Sequence, residues 1–342
     1  MKKTLAAAAL LAAFAGSAMA DVTVYGRADV GFNAVMEGDE TVFAMGSGQS
    51  SGSRVGVKGA EKVMDGVTVG FQLEAGFNVD NGTNSTYNAA KGTDGHRTFH
   101  RESRVYIATE YGTFHFGRMG TLDSGSGSVD LYGGLSAYGT GWANDMGAAN
   151  FVTVKDDRRD NVVTYQSPAM AGVTVYAQVA GDAADNKAEY SHDAARYMAL
   201  GAKYQAGAFG ATVIYSNLED SNDAEAGVED RHNYTAGVNY NFGFAKAMLL
   251  ANYSEQGKAD SWGVVASATA PVAGGTVAGM VGYGVATDAD NVDTDKFNVA
   301  LTYQYPLSKS TYLYVGAGYQ ESEKANVVTD KTFGTFGVCH SF

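Results

Sequence analysis

The charged residues that could act on a solute surround one long, glycine-rich segment at 120–157. Five basic residues lie on short stretches before and after it, each opposite in parity to its apolar neighbours: Arg27, Arg54, Lys58, Arg104 and Arg158. The segment itself carries Asp123, Asp130 and Asp145. Alternate residues of a β-strand lie on opposite faces, so the five bases belong to the polar faces of their strands. Their chemistry would be electrostatic, acting on ions and polar solutes in water.

No constellation for catalysis or metal binding is present. His96 and His100 are four residues apart on or next to a predicted strand, where four residues span about 13 Å, too far for one metal ion. The chain has no HExxH pattern. The glycine-serine sequence at 125–128 lacks the Lys-Ser/Thr of a phosphate-binding loop. We therefore expect no enzymatic activity, no cofactor and no metal site.

The N-terminus is typical of an exported protein. Residues 1–20 combine a positively charged start, an apolar stretch and a small-x-small cleavage sequence, which predicts a signal peptide and a mature chain beginning at Asp21. Loss of its two lysines lowers the net charge from −13 to −15, and an acidic balance argues against nucleic acid as a partner. The single cysteine, Cys339, cannot form an internal disulfide.

The mature chain shows a strand period instead of a transmembrane-helix pattern. It has no run of about 20 apolar residues. Between Val67 and Val79, odd positions are apolar and even positions are polar or small. Similar alternation recurs at 173–179, 234–242 and 297–305. Such a strand could face lipid in a barrel or a core in a soluble sandwich, and the connections between strands separate the two possibilities.

Connections of two kinds alternate strictly along the chain. Short turns are predicted at 64–66, 110–112, 168–172, 205–207, 241–243, 271–275 and 306–310. Longer polar segments lie near 37–50, 80–97, 120–157, 181–193, 217–230, 254–260, 287–295 and 321–331. These 15 connections imply 16 strands. Short turns at one end and long loops at the other are typical of an outer-membrane barrel. We therefore expect an all-β fold, a transmembrane 16-stranded antiparallel β-barrel formed by residues 21–342.

Several stretches, in order along the mature chain, resemble the trimeric general porins of Gram-negative outer membranes. The most similar branch is that of beta-proteobacteria and Neisseria. The stretches that carry the resemblance are VTVYGRADVGF at 22–32, the sequence from SGSRVGVKG to FNVDNG at 51–82, RESRVYIATEYGTFHFGRMGT at 101–121, RRDNVVTYQSP at 158–168, YPLSKSTYLYVGAGY at 305–319 and FGVCHSF at 336–342. A last strand ending in an aromatic residue, here Phe342, is the signal read by the outer-membrane assembly machinery.

The resemblance implies a homotrimer whose third external loop folds inward and narrows the pore. Residues 120–157 occupy that position, and residues 80–97 occupy the position of a loop that contacts a neighbouring subunit. In the family, wall bases face loop acids and sort solutes by charge. The resemblance assigns Arg27, Arg54, Lys58, Arg104 and Arg158 to the wall of the constriction, and Asp123, Asp130 and Asp145 to the loop. In the family these acids often lie near the loop tip, which favours Asp130 and Asp145 over Asp123.

We therefore expect a passive channel for small hydrophilic solutes and ions in the Gram-negative outer membrane. Selection by size and charge would occur at the 120–157 constriction. Its partners would be outer-membrane lipid and lipopolysaccharide, the assembly machinery and the solutes that pass. Two alternatives stay open. A substrate-selective channel would show an aromatic track along the lumen, and a surface adhesin or immune-interaction barrel would bind host ligands through its loops.

Overall fold

The computed structural model describes residues 22–84, 97–142, 146–182, 195–219 and 229–342, so the predicted signal peptide lies outside the described residues. Within these ranges the chain forms 17 β-strands and two single-turn 3-10 helices, Gly133–Leu135 and Ala149–Phe151. The strands are β1 (Thr23–Glu37), β2 (Glu40–Ser47), β3 (Arg54–Met64), β4 (Val67–Gly76), β5 (Glu102–Thr109), β6 (Gly112–Gly120), β7 (Arg158–Gln166), β8 (Val173–Asp182), β9 (Ala195–Ala206), β10 (Phe209–Glu219), β11 (Arg231–Asn241), β12 (Lys246–Gln256), β13 (Ala259–Val272), β14 (Gly275–Thr287), β15 (Asp293–Pro306), β16 (Thr311–Lys324) and β17 (Val327–Ser341). In the described ranges, no helix is both long and apolar enough to cross a membrane.

The strands close into a 16-stranded antiparallel barrel. Each strand from β3 onward pairs with the next, and β17 pairs back onto β1. Both β2 and β3 pair with β1. Strand β2 pairs with residues 30–37 of β1, where Ser47 lies opposite Val30, and β3 pairs with residues 23–27, where Arg54 lies opposite Arg27. They are therefore two halves of one barrel strand, interrupted at residues 48–53. The predicted fold and strand number are confirmed, and closure leaves no unpaired edge.

The two ends of the barrel differ from the prediction in one respect. All seven predicted short turns are present between the expected strands. Three of the eight predicted long segments, however, are two-residue turns at 38–39, 257–258 and 325–326. Their flanking polar residues continue the strand pairing instead of leaving it, as in the pairs Glu255–Asp260 and Glu321–Asp330. Strand ends that extend beyond the apolar band can be polar on both faces, so polarity alone misplaced these strand ends.

The wall buries its polar residues and exposes its apolar ones. On β15, Leu301 is 61% exposed, whereas Ala300 and Thr302 on either side are each 3% exposed. Asn233 and Asn252 are likewise buried at 2% and 5%. A soluble sandwich has the reverse arrangement, with apolar side chains inside. The outward apolar face therefore matches contact with lipid, as predicted for a membrane barrel.

Aromatic rings form a row around the outward face. Tyr215, Tyr234, Tyr253 and Trp262 are successive cross-strand partners on β10 to β13. The centroids of the first two pairs of rings are 5.2 and 6.2 Å apart. A second group lies near the short turns and includes Phe242, eight residues from Tyr234. Eight residues span about 26 Å of a tilted strand, comparable with the roughly 25 Å apolar band of such barrels.

Candidate functional site

Residues 121–157, between β6 and β7, pack against the buried face of the barrel wall. The Ala137 N–H donates to the Ser267 hydroxyl on β13 at 3.0 Å. The Asn298 side-chain amide on β15 donates to the Ala148 carbonyl at 2.8 Å. These strands follow the segment by more than 100 residues, so the segment reaches wall strands far from its own ends.

Apolar side chains of the segment lie over glycines of the wall. A Cβ atom on Gly201 would be 2.6 Å from Leu131 Cδ1, and one on Gly237 would be 2.8 Å from Leu135 Cδ2. Both leucines are buried, and burying such a side chain contributes about 1.5–3 kcal/mol. Similar close contacts are those of Met146 with Gly316 and Gly318, and of Val152 with Gly263, Gly282 and Gly284. Strand glycines on the inward face thus make room for the segment.

Asp123 anchors the start of the segment. Its Oδ1 accepts hydrogen bonds from the Tyr197 hydroxyl at 2.7 Å and the Thr121 hydroxyl at 3.0 Å. Its Oδ2 accepts from the Ser216 hydroxyl at 2.6 Å and the Asn233 amide at 3.0 Å. The side chain is fully buried. The sequence predicted a solute-facing acid here, but the structure corrects this, because a sealed carboxylate with four donors cannot face a solute.

A cavity of about 960 Å³ lies between the segment and the wall. Glycine and serine make up much of its lining, which leaves room for water. Among the described residues its ionisable lining groups are four cations and two acids: Arg54, Arg101, Lys155, Arg158, Asp130 and Asp157. The lining is therefore net positive, although the whole chain is acidic.

The arginines of the wall are held by specific partners. Arg27 and Arg54 lie directly opposite each other on β1 and β3, and both donate to the Ser51 hydroxyl, at 2.6 and 2.9 Å. Arg101 donates to Glu74 at 2.7 Å, and the same carboxylate lies 3.9 Å from Arg54. One buried carboxylate therefore serves two arginines, so positive charge remains in excess.

Asp130 lies on the loop side of the cavity, where backbone N–H groups of the loop hold its carboxylate. The carboxylate accepts N–H bonds from Gly125 at 2.7 Å, Tyr132 at 3.1 Å and Gly133 at 2.8 Å. Burial raises the pKa of Asp130 to about 7, while the three N–H donors oppose that rise. Asp130 thus lines the cavity, and with a pKa of about 7 its charge is sensitive to pH near neutrality. Asp145, the other predicted tip acid, lies outside the described residues.

The end of the segment adds a pair of oppositely charged groups. Lys155 and Asp157 both line the cavity, and Asp157 Oδ1 is 4.0 Å from an Arg158 guanidinium nitrogen. Burial lowers the pKa of Lys155 and raises the pKa of Asp157. Asp157 therefore offsets part of the Arg158 charge, and the four cations of the lining still outnumber its two acids.

Two of the predicted wall bases belong to a different level of the barrel. Lys58 and Arg104 line a separate cavity of about 510 Å³. Lys58 is four residues beyond Arg54 on β3, about 13 Å closer to the short turns. Its ammonium group lies 5.2 Å from the centre of the Tyr25 ring, and Arg104 contacts Glu102 at 3.2 Å. The structure therefore separates the five predicted bases into two groups.

Three charged lining residues were not found by sequence reasoning. Arg101 immediately precedes β5, where the chain is not yet extended and strand parity does not apply. Lys155 and Asp157 lie in the irregular segment, which has no period at all. The position of Arg101 just before a strand was therefore no guide, and only its contact with Glu74 shows its direction.

Comparison with known proteins places this site in context. The family model for Gram-negative porins matches residues 6–325. An outer membrane porin protein of Bordetella pertussis is 34% identical to the chain, with 100% of each sequence covered. Outer membrane porin protein 32 of Delftia acidovorans is 29% identical over 98% of this chain and 94% of its own length. The solved anion-selective porin from Comamonas acidovorans has a TM-score of 0.71 and 23% identity, covering 94% of this chain and 100% of its own.

Proposed function

Because the chain belongs to the Gram-negative porin family, we propose that its barrel selects solutes by size and charge where residues 120–157 narrow the bore. The family consists of outer-membrane channels, and the chain is an outer-membrane porin with a closed β-barrel. Diffusion through such a channel is passive, and the solutes are ions and small hydrophilic molecules. The segment and its charges are what distinguish one channel of this architecture from another.

The charge distribution of the 960 Å³ cavity carries this proposal. Arg54, Arg101, Lys155 and Arg158 line it together with Asp130 and Asp157, and Asp157 lies 4.0 Å from Arg158. Positive charge in a narrow, low-dielectric passage concentrates anions there. The acidic chain as a whole attracts cations to the mouths, and the narrowest section dominates. We therefore propose a weak preference for anions, with Asp123 as an anchor of the segment and not as part of its charged lining.

The inward aromatic residues favour a general channel over a substrate-selective one. Tyr138, Trp142 and Tyr314 pack edge to face, with ring centroids 6.0 and 5.5 Å apart. Tyr138 and Tyr314 are only 7% and 3% exposed. Tyr138 and Trp142 line the cavity, but rings packed edge to face in one cluster do not form the continuous aromatic track that a selective channel requires.

We also propose that the chain assembles as a homotrimer through the outward face of β1 to β5. By strand parity, that face carries valine, phenylalanine, alanine and methionine but neither tyrosine nor tryptophan in the described residues. The tyrosine and tryptophan row instead lies on β10 to β13, where a lipid headgroup boundary is expected. The molar mass of the purified protein in detergent, corrected for bound detergent, tests this proposal, and a mass of one chain would contradict it.

Phe342 is proposed to act as the assembly signal. It follows β17, its ring is exposed and its backbone pairs with Gly26 at 2.9 and 3.1 Å. A substitution Phe342→Ala is expected to reduce the folded protein recovered from outer membranes while leaving refolding in detergent intact. Equal loss in both settings would show a structural role only.

We further propose that the barrel contacts lipopolysaccharide and that the chain is cleaved after residue 20. The mass of the mature chain tests the cleavage.

Reconstitution in a planar bilayer tests the channel proposal directly. Single-channel conductance reports the bore, and the reversal potential in a potassium chloride gradient reports its charge preference. We expect stable conducting steps and a reversal potential on the anion side of zero. Absence of channels would overturn the proposed function, and a cation-side potential would overturn its electrostatic part.

A further inference from the structure

Asp29 occupies an unusual position for a carboxylate in a channel wall. It lies on the inward face of β1, two residues from Arg27, and is fully buried. Its Oδ1 accepts the Gln49 N–H at 3.0 Å and the Tyr314 hydroxyl at 2.6 Å. Among the described residues no lysine or arginine forms an ion pair with it. A buried carboxylate without a cation must be stabilised by neutral donors.

The other oxygen of Asp29 holds the strand interruption at 48–53. Its Oδ2 accepts the N–H groups of Ser50 and Ser51 at 3.0 and 2.9 Å, and the Ser50 hydroxyl at 2.5 Å. The backbone of Asp29 also exchanges hydrogen bonds with the Ser53 hydroxyl, at 3.0 and 3.1 Å. The carboxylate therefore collects three successive backbone N–H groups, as an anion does in a backbone nest.

Strand pairing explains why this interruption enters the bore. Ser47 and Arg54 pair with Val30 and Arg27 of β1. Only residues 28 and 29 separate these two partners on β1, whereas six residues, 48–53, separate Ser47 from Arg54 on the opposite strand. The surplus must leave the plane of the sheet, as in an enlarged β-bulge. Because Asp29 faces inward and binds three of its N–H groups, the surplus folds inward. Residues 48–52 accordingly line the 960 Å³ cavity.

Ser51 connects this nest to the arginines. Its N–H is bound to Asp29, and its hydroxyl accepts from Arg27 and from Arg54. Two like charges directly opposite on neighbouring strands repel each other. The shared acceptor therefore helps to orient both guanidinium groups, and Arg27 Nε also donates to the Ser341 hydroxyl at 3.2 Å. Asp29 itself stays out of direct contact with them, so their charges are oriented without being neutralised.

We propose that Asp29 and Ser51 form a positioning relay that holds Arg27 and Arg54 at the bore wall and thereby sets the anion preference. This inference rests on the proposed function, because it assigns a cause to the charge selection proposed above. The relay makes the hydroxyl of Ser51, and not only the presence of the arginines, necessary for selectivity.

The variant Ser51→Ala tests the relay, because it removes only the shared acceptor and retains the N–H bound to Asp29. We expect folded channels with increased current noise and a permeability ratio of anion to cation lowered by about twofold, since mobile guanidinium charges are screened more effectively by salt. Ser51→Thr keeps the hydroxyl and should restore the wild-type ratio. Ser308→Ala removes a serine hydroxyl at an exposed short turn far from the cavity and should leave the ratio unchanged.

Asp29→Asn provides an independent arm. Both Asp29 oxygens accept donors, so either orientation of an amide places an NH₂ group against N–H or O–H donors. We expect a lowered unfolding temperature and, in folded channels, the same fall in selectivity as in Ser51→Ala. If Asp29→Asn fails to fold, Ser51→Ala decides the question alone.

The outcomes separate the relay from the proposed function. Wild-type selectivity and noise in Ser51→Ala, together with altered selectivity in Arg54→Ala, would overturn the relay and leave the charged constriction intact. Unchanged selectivity in both variants would overturn the constriction itself.

Discussion

Arg27 and Arg54 are direct cross-strand partners, and their guanidinium groups share one acceptor, the hydroxyl of Ser51. Opposed like charges destabilise a strand pair, so their presence on the inward face supports the proposal that this charge acts on solutes in the bore. The nearest carboxylate to Arg54 is 3.9 Å away and is already bound to Arg101. The wall therefore carries an unbalanced cluster of arginines next to the loop.

Removing one of these charges should reduce the anion preference. For Arg101→Ala, a charge about 5 Å from a passing ion in water contributes about 0.8 kcal/mol, which is about a fourfold change in the permeability ratio. The reversal potential in a salt gradient measures this change. Lys324→Ala, which removes a surface cation paired with Asp288, is the matched control and should leave the ratio unaltered. Equal effects of the two variants would indicate that total charge, not position, determines selectivity.

The selectivity should depend on pH through Asp130. Its pKa is raised to about 7 by burial, so the carboxyl is neutral well below pH 7 and charged well above it. The cavity loses a negative charge on acidification, and the anion preference should therefore be larger at about pH 5.5 than at about pH 8.5. Reversal potentials at the two pH values measure the difference.

The variant Asp130→Asn isolates this group from Asp157 and Lys155 in the same cavity. It should show the stronger, low-pH anion preference at both pH values. A pH dependence that persists undiminished in Asp130→Asn would assign the titration to another residue.

The loss of Asp123 should release the segment from the wall. Asp123→Ala leaves four donors without their buried acceptor, which should lower the free energy of unfolding by about 2–4 kcal/mol. A displaced segment also alters the bore, so the single-channel conductance should become variable. Asp65→Ala, at an exposed turn, is the control for an aspartate substitution. Wild-type stability in Asp123→Ala would show that the apolar contacts suffice to hold the segment.

A methyl group on a wall glycine should have the same effect from the opposite side. A Cβ atom on Gly263 would lie 1.9 Å from the Val152 carbonyl oxygen, so Gly263→Ala must push the segment away, at about 1–3 kcal/mol. Gly334→Ala is the matched control, since nothing lies within 4 Å of its Cβ position. Thermal unfolding and conductance should change in the first variant and not in the second. Identical behaviour of both variants would contradict the close packing of Val152 on Gly263.

The sequence was sufficient for the barrel because its signals are local. Parity within a strand separates Leu301 from Thr302, and each short turn is marked by glycine or proline within a few residues. The same parity predicted that Arg54 and Arg158 face inward, and both line the cavity. The prediction of long loops at 37–50, 254–260 and 321–331 was wrong, because polarity records contact with water and not the end of strand pairing.

The charged lining depended on the tertiary structure, because the segment at 120–157 has no period from which direction can be read. Asp123 and Asp130 are both aspartates in glycine-rich sequence, yet one is sealed against Tyr197 and Asn233 and the other lines the cavity. Arg101 precedes its strand, and its direction follows from contact with Glu74, 27 residues away. The sequence by itself therefore determined the barrel and which strand faces are polar. Only the folded chain decided which charges meet, since those contacts join residues distant in sequence.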